Sequence, residues 1–65
     1  MKFVELHLYS DNRKIAVNPL LISAVTMTTE GIARIYYQDI RQRADVKEDY
    51  ETVLMKFNDS METIK

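Results

Sequence analysis

The 65-residue sequence has no cysteine, no tryptophan, one glycine and one proline. Without cysteine the chain has no disulfide framework, no thiol nucleophile and no cysteine-ligated zinc site. A single glycine excludes a collagen-like repeat and cannot build a glycine-rich phosphate-binding loop. We therefore expect one small folded domain over residues 1–65, with no second domain and no cofactor.

Long apolar runs and a strong excess of one charge are also missing. Lys2 and Glu5 interrupt the first apolar stretch, so it does not have the pattern of a signal peptide, and no run approaches the roughly 18 apolar residues of a membrane span. We expect a cytoplasmic protein without membrane insertion. The net charge is −1, which disfavours nucleic acid as a partner because nucleic-acid-binding domains usually carry a clear basic excess.

The small size of the chain bears on its partners. A domain of about 60 residues buries only roughly 60% of its unfolded surface. The core must therefore be packed efficiently or be completed by another molecule. Self-association into a homo-oligomer stays open on this argument, beside binding to a different protein.

The first strands follow from alternation of apolar and polar residues. Leu6 and Leu8 alternate with polar neighbours, as do Ile15 and Val17, which is the pattern of half-buried strands. Asp11-Asn12 between them suits a two-residue turn, because both residues tolerate positive φ. This turn predicts that Leu8 pairs with Ile15 and Leu6 with Val17.

A second hairpin is predicted around the only glycine. Asn18-Pro19 ends the second strand, an apolar corner follows, and a third strand lies near residues 23–28. Gly31 closes a three-residue loop at the position that often needs a left-handed conformation. The loop predicts two cross-strand pairs, Met27 with Ala33 and Val25 with Ile35.

The remaining elements are two strands and a helix. The fourth strand spans about 32–37, a loop spans 38–41 and the fifth strand lies near 42–46. After Val46 the spacing becomes helical and predicts a helix over about 48–58, with a frayed end to residue 65, capped by Asp49 or Glu48. Its apolar stripe comprises Tyr50, Val53, Leu54 and Phe57, continued loosely by Met61 and Ile64.

These elements predict an α+β fold. The strands, over about 2–46, form a five-stranded antiparallel meander that is strongly twisted or partly closed. The single C-terminal helix packs on its apolar face. Met27 and Met61 are expected on core-facing positions.

The sequence resembles the small FlbD-type flagellar and swarming-motility proteins. The resemblance rests on Val17-Asn18-Pro19, Leu21-Ile22 and Val25, and on Val46-Lys47-Glu48 with Val53. Two family features are replaced: Thr26 stands where the family carries an acid, and the loop 38–41 has no glycine. The resemblance implies an accessory, non-enzymatic role and carries over no catalytic residue.

No set of residues predicts catalysis. His7, the only histidine, is flanked by Glu5 at strand spacing, which supplies two metal ligands where a zinc site needs three or four. Ser10 lies in a turn, Ser23 begins a strand, and the single histidine would have to serve any serine as its base. The acids around residue 48 are explained by capping and by the helix dipole. We expect no enzymatic activity.

One outward sheet face combines basic and aromatic residues. Alternation along the fourth and fifth strands predicts a candidate interaction patch of Arg34, Tyr36, Ile40, Arg41 and Arg43. Such residues suit a protein interface or an ordinary sheet face, with pairs such as Tyr36 and Asp45, and also resemble single-strand binders. The preferred function is a non-catalytic accessory or protein-interaction module, and the alternative is a small nucleic-acid-associated protein.

Overall fold

A computed structural model describes residues 3–39 and 41–62, with side chains through residue 60. Within these residues the fold is α+β, with five antiparallel strands in two sheets and one C-terminal helix. The elements in chain order are β1 (Val4–His7), β2 (Lys14–Val17), a 3-10 helix (Pro19–Leu21), β3 (Ile22–Met27), β4 (Ala33–Tyr37), β5 (Arg43–Val46) and α1 (Tyr50–Glu62).

The predicted single meander is wrong, because the strands divide into a β1-β2 sheet and a β3-β4-β5 sheet. The break lies between β2 and β3. There Asn18 caps the 3-10 helix by accepting a hydrogen bond from the Leu20 N–H at 3.0 Å, and Pro19 occupies its first position. This helix separates the two strands, whereas a tight turn would have paired them.

The first strand contacts the last one. Leu8, just after β1, forms an antiparallel bridge with Val46 of β5. Two further backbone hydrogen bonds flank the bridge, from Tyr9 N–H to the Asp45 carbonyl at 2.9 Å and from Lys47 N–H to the His7 carbonyl at 2.8 Å. The two sheets are therefore joined through β1 and β5.

The predicted register of the first hairpin is also wrong. Leu6 pairs with Ile15 and Val4 with Val17, two residues away from the predicted alignment. The loop has four residues, 9–12, and closes through a hydrogen bond from Leu8 N–H to the Arg13 carbonyl at 2.9 Å. A shift of two residues keeps every side chain on its face, so the apolar pattern does not distinguish the two registers.

The second hairpin confirms the prediction. Val25 pairs with Ile35 and Met27 with Ala33. Gly31 has φ of +84° in the three-residue loop, which is the left-handed region that favours glycine.

The core lies where the two sheets and the helix meet. Leu6, Ile35 and Val53 have no exposed surface. The buried apolar residues are Val4, Leu6, Val17, Ala33, Ile35, Val46 and Val53. The half-buried residues packed against them are Ile15, Ile22, Val25, Tyr37, Ala44, Tyr50 and Phe57.

The helix begins as predicted and extends further. Asp49 caps it by accepting a hydrogen bond from the Thr52 N–H at 2.9 Å, and α1 runs to Glu62, four residues beyond the expected end. Leu54, expected on the buried stripe, is 37% exposed, whereas Ser60 is buried. The buried face of α1 is therefore rotated, relative to the predicted stripe, toward Val53 and away from Leu54.

One methionine prediction is wrong, and two other core predictions lie outside the described residues. Met27 is 60% exposed, although it lies opposite the buried Ala33. The reason is its position at the end of β3, which within the described part of the chain is an edge strand with β4 as its one neighbour. The predicted contributions of the Met61 side chain and of Ile64 lie outside the described part of the chain.

The rotation of the helix face predicts unequal effects at adjacent positions. Val53→Ala should lower the free energy of unfolding by about 2 kcal/mol, because it removes fully buried methyl groups. Leu54→Ala should cost less than about 1 kcal/mol, since its side chain is already partly in water. Urea unfolding of both variants measures the difference. Equal losses at the two positions would contradict the burial of Val53.

The conformation of Gly31 predicts the effect of a side chain there. Gly31→Val should destabilise the domain by roughly 1–2 kcal/mol, because a β-branched residue resists positive φ. A Cβ at this position has no heavy atom within 4 Å, so backbone strain is the only expected cause. The control is Gly31→Asn, which tolerates positive φ and should lose less stability by thermal unfolding. If Gly31→Asn lost as much stability as Gly31→Val, the cause would be something other than backbone strain at positive φ.

Candidate interaction face

The outward side of β4 and β5 carries much of the predicted patch. Ala33 and Ile35 point into the core, so the alternating residues of β4 point outward. The two strands pair so that Arg34 is opposite Asp45 and Tyr36 is opposite Arg43. We call these four residues the interaction face.

An ion pair lies within this face. The Arg34 guanidinium binds the Asp45 carboxylate through two hydrogen bonds, Nε to Oδ1 at 2.6 Å and Nη2 to Oδ2 at 3.1 Å. The predicted cross-strand pair of Tyr36 with Asp45 is wrong, because the register places Arg34 opposite Asp45. Two parallel hydrogen bonds hold the guanidinium plane in one orientation.

The pair changes the protonation behaviour of both groups. Hydrogen bonds to Asp45 and to Tyr36 raise the pKa of Arg34 above its usual value. The hydrogen bond from Arg34 lowers the pKa of Asp45, outweighing partial burial, and the nearby charge of Arg43 adds to the lowering. Both groups are therefore charged at neutral pH, and their charges cancel locally.

The other predicted patch residues lie in the loop before β5. The Arg41 guanidinium binds the Asp39 carboxylate through two hydrogen bonds, each of 3.1 Å, and the Arg41 N–H donates to the same carboxylate. Arg41 is thus occupied within its own turn. Ile40 lies outside the described residues. Arg43 has no carboxylate partner in the described part of the chain.

A cleft adds residues that the sequence pattern does not reveal. It has a volume of about 390 Å³ and lies between the loop after β1 and the face. Tyr9, half exposed, lines it, and the Lys47 ammonium lies 5.7 Å from the centre of the Tyr9 ring, within cation–π range. The local sequence pattern does not predict the contact of Lys47 with the Tyr9 ring, because this contact depends on the packing of β1 against β5.

The only histidine has a carboxylate partner far away in sequence. His7 Nδ1 lies 2.8 Å from Glu48 Oε2, and the His7 backbone N–H donates to Glu48 Oε1 at 3.0 Å. Strand spacing alone would suggest Glu5, and not Glu48, as the carboxylate beside His7. Among the described residues no three His, Asp or Glu side chains come together as a metal site needs.

The environment of Glu48 affects its pKa through opposing effects. Burial would raise the pKa of this carboxyl, but the hydrogen bonds from the His7 side chain and backbone outweigh burial and lower it below the usual value. Glu48 is therefore a carboxylate at neutral pH. It fixes the end of β1 to the residues just before α1.

Comparison with known proteins gives no assignment: no family model, curated protein or solved structure matches the chain. The resemblance to the FlbD-type proteins therefore stays a prediction. Within the described residues, no helix is both long and apolar enough to cross a membrane.

The lowered pKa of Asp45 predicts a change of stability with pH. A carboxyl whose pKa is lower in the folded than in the unfolded chain stabilises the fold above its unfolded pKa of about 3.9. This stabilisation disappears as the pH falls through the folded value. Asp45→Asn should therefore unfold more easily than the parent at neutral pH, and the difference should shrink below about pH 3.

Thermal unfolding across this pH range, followed by circular dichroism, measures the difference. The matched control is Asp59→Asn, which removes an exposed carboxylate from the helix surface. A difference between Asp45→Asn and the parent that is the same at every pH would contradict the ion pair as its cause.

Proposed function

We propose that this chain is a non-catalytic accessory module that binds a protein partner through the interaction face. The observation that carries the proposal is the two-hydrogen-bond pair between Arg34 and Asp45 in this face. The pair cancels the charge of Arg34, leaves the charge of Arg43 available to a partner, and holds Arg34 in place beside Tyr36. Ordered arginine and tyrosine side chains are the residues most enriched in the energetic centres of protein interfaces.

The accessibility of the aromatic residues supports the same proposal. Tyr36 is half buried and Tyr9, at the adjoining cleft, is half exposed. A tyrosine ring loses little conformational entropy on binding and offers both apolar area and a hydroxyl group. A protein partner with an apolar side chain for the cleft and a carbonyl or carboxylate for Arg43 would suit this surface.

The arrangement of the polar groups favours a binding role over a catalytic one. The Ser23 hydroxyl donates to the backbone carbonyl of Tyr37 at 3.0 Å rather than to a histidine. A serine nucleophile needs a histidine or another base beside it. The accessory role that the resemblance to FlbD-type proteins implies points in the same direction.

Nucleic-acid binding is the alternative function, and one observation favours it. Arg43 lies opposite Tyr36, so a phosphate contact and a stacking ring are adjacent, as in proteins that bind single strands. Against this alternative, Arg34 and Arg41 are each bound to an aspartate. A phosphate backbone would have to compete with those carboxylates, and the aspartates would repel it.

A photo-crosslinking experiment in cells tests the protein-binding function. A photoreactive phenylalanine replaces Tyr36 in one variant and the exposed Asn58 of α1 in the control. We expect a protein adduct from position 36 that position 58 does not give. The same adduct from both positions, or an adduct with nucleic acid only, would contradict the proposal.

The partner recovered in this way is then purified for affinity measurements. Tyr36→Ala should weaken its binding at least roughly tenfold, since truncating a central aromatic residue commonly costs that much. Affinity should change little with salt concentration. A steep loss between low and physiological salt, with binding to a mixed single-stranded oligonucleotide, would support the nucleic-acid alternative, because counterion release dominates such binding.

A further inference from the structure

The β3 strand is an open edge of the three-stranded sheet. Among the described residues it pairs only with β4, on one side. Soluble proteins usually protect such an edge with a charged side chain, a proline or a bulge. No charged residue or histidine occurs from Ile15 to Thr29, and the only proline of this stretch, Pro19, precedes the strand.

A bulge protects one end of this edge. The pairing of β3 with β4 shifts between Ile22 and Ala24, and the Ser23 hydroxyl is turned back to the Tyr37 carbonyl. Bulges bend a strand and interrupt its ladder. The regular and unprotected part of the edge is therefore residues 24–27.

The ladder also shows which backbone groups face outward. The Thr28 N–H donates to the Ile32 carbonyl at 2.8 Å. Thr28 and Ile32 are therefore a hydrogen-bonded cross-strand pair. Hydrogen-bonded and non-hydrogen-bonded pairs alternate in antiparallel ladders, which makes Thr26 with Arg34 the next hydrogen-bonded pair. The N–H and C=O groups of Val25 and Met27, which lie between, therefore point away from β4 to the open edge.

Exposed apolar side chains accompany this edge. Met27 is exposed although its position faces the core side of the sheet. On the same side, an apolar groove of about 280 Å³ lies between β3 and α1, lined in part by Val25 and Leu54. Leu20 and Leu21, just before the strand, are each about half exposed.

We propose that two copies of this chain pair through residues 24–27 of β3, antiparallel, with Thr26 opposite Thr26 of the second copy. This register places Val25 opposite Met27 of the second copy. The outward N–H and C=O groups of both residues then bond across the dimer axis. Each three-stranded sheet continues into the other copy.

One observation and two consequences of this register favour a second copy as the occupant over a strand of another protein. The edge carries no charge, so two identical strands meet without repulsion, whereas a charged partner strand would find no counter-charge. The symmetric register directs the exposed Met27 toward the groove beside Val25 of the other copy. It also creates a Thr–Thr cross-strand pair, which is a favourable one.

The proposal does not rest on the interaction face, since its hydrogen bonds use the backbone of β3 alone. The predicted interface is small. A strand pair with a few side chains falls at or below the lower end of specific interfaces, roughly 1,200 Å² in total. The dimer should therefore form in a concentration-dependent manner.

Sedimentation equilibrium and amide hydrogen exchange of the full chain test the pairing. The mean mass should rise from one copy to two as the concentration increases from micromolar to millimolar. Over the same range the amides of Val25 and Met27 should become protected, while in a monomer they are open to water. A chain that stays monomeric, or a dimer in which these two amides remain unprotected, would overturn the proposal.

Charged variants at the dimer axis provide a second test. Thr26→Lys and Thr26→Glu each place like charges opposite one another in the dimer and should raise the dimer Kd roughly tenfold or more. An equimolar mixture of the two variants should dimerise again, because the opposite charges then meet. Folding of each variant is checked by circular dichroism.

The control is Asn58→Lys, which adds the same charge on the exposed surface of α1 and should leave the dimer Kd unchanged. If Thr26→Lys unfolds the chain through repulsion from the adjacent Arg34, Thr26→Glu keeps the test valid, since its carboxylate attracts that arginine. Unchanged dimers of both variants at position 26, or failure of the mixture to associate, would place the contact elsewhere and refute this register.

Discussion

The contact between β1 and β5 holds the two sheets and the helix around one core. The bridge between Leu8 and Val46 joins the two sheets, so that Leu6 and Ile35 are buried in one core with Val53 of the helix. The β1-β2 sheet is too small to fold alone, because isolated two-stranded hairpins are marginally stable in water. The same contact brings His7 to Glu48 and sets Tyr9 beside the interaction face.

Charge and hydrophobicity are separated between two surfaces of this small molecule. On β4 and β5, Asp45 holds Arg34 in place, whereas Arg43 has no carboxylate partner among the described residues, so this surface is ordered and still carries charge. On β3 the charges are absent and backbone groups face outward. The first surface suits side-chain recognition of a different protein, and the second suits backbone pairing with an identical strand. The two proposed roles are therefore compatible in one assembly.

Local chemistry made some elements predictable. Gly31 needs a left-handed backbone and Asp49 is a good helix cap, so the second hairpin and the start of the helix follow from single residues. The outward positions of Arg34 and Tyr36 follow from strand alternation. The sequence predicts a register of the first hairpin that is two residues away from the observed one, because Asp11 and Asn12 suit more than one loop length and a two-residue shift preserves the apolar face. The predicted burial of Leu54 is wrong because helical spacing defines an apolar stripe without showing where its centre lies.

The α+β order of elements, the second hairpin and the residues that face outward on β4 can be read from the sequence, since each depends on neighbours within a few positions. The division of the strands into two sheets, the binding of Arg34 by Asp45 and the contact of His7 with Glu48 come from the folded chain. These contacts join residues separated by 11 and 41 positions. Their partners are chosen by register and by the packing of β1 against β5, and local periodicity contains no information about either.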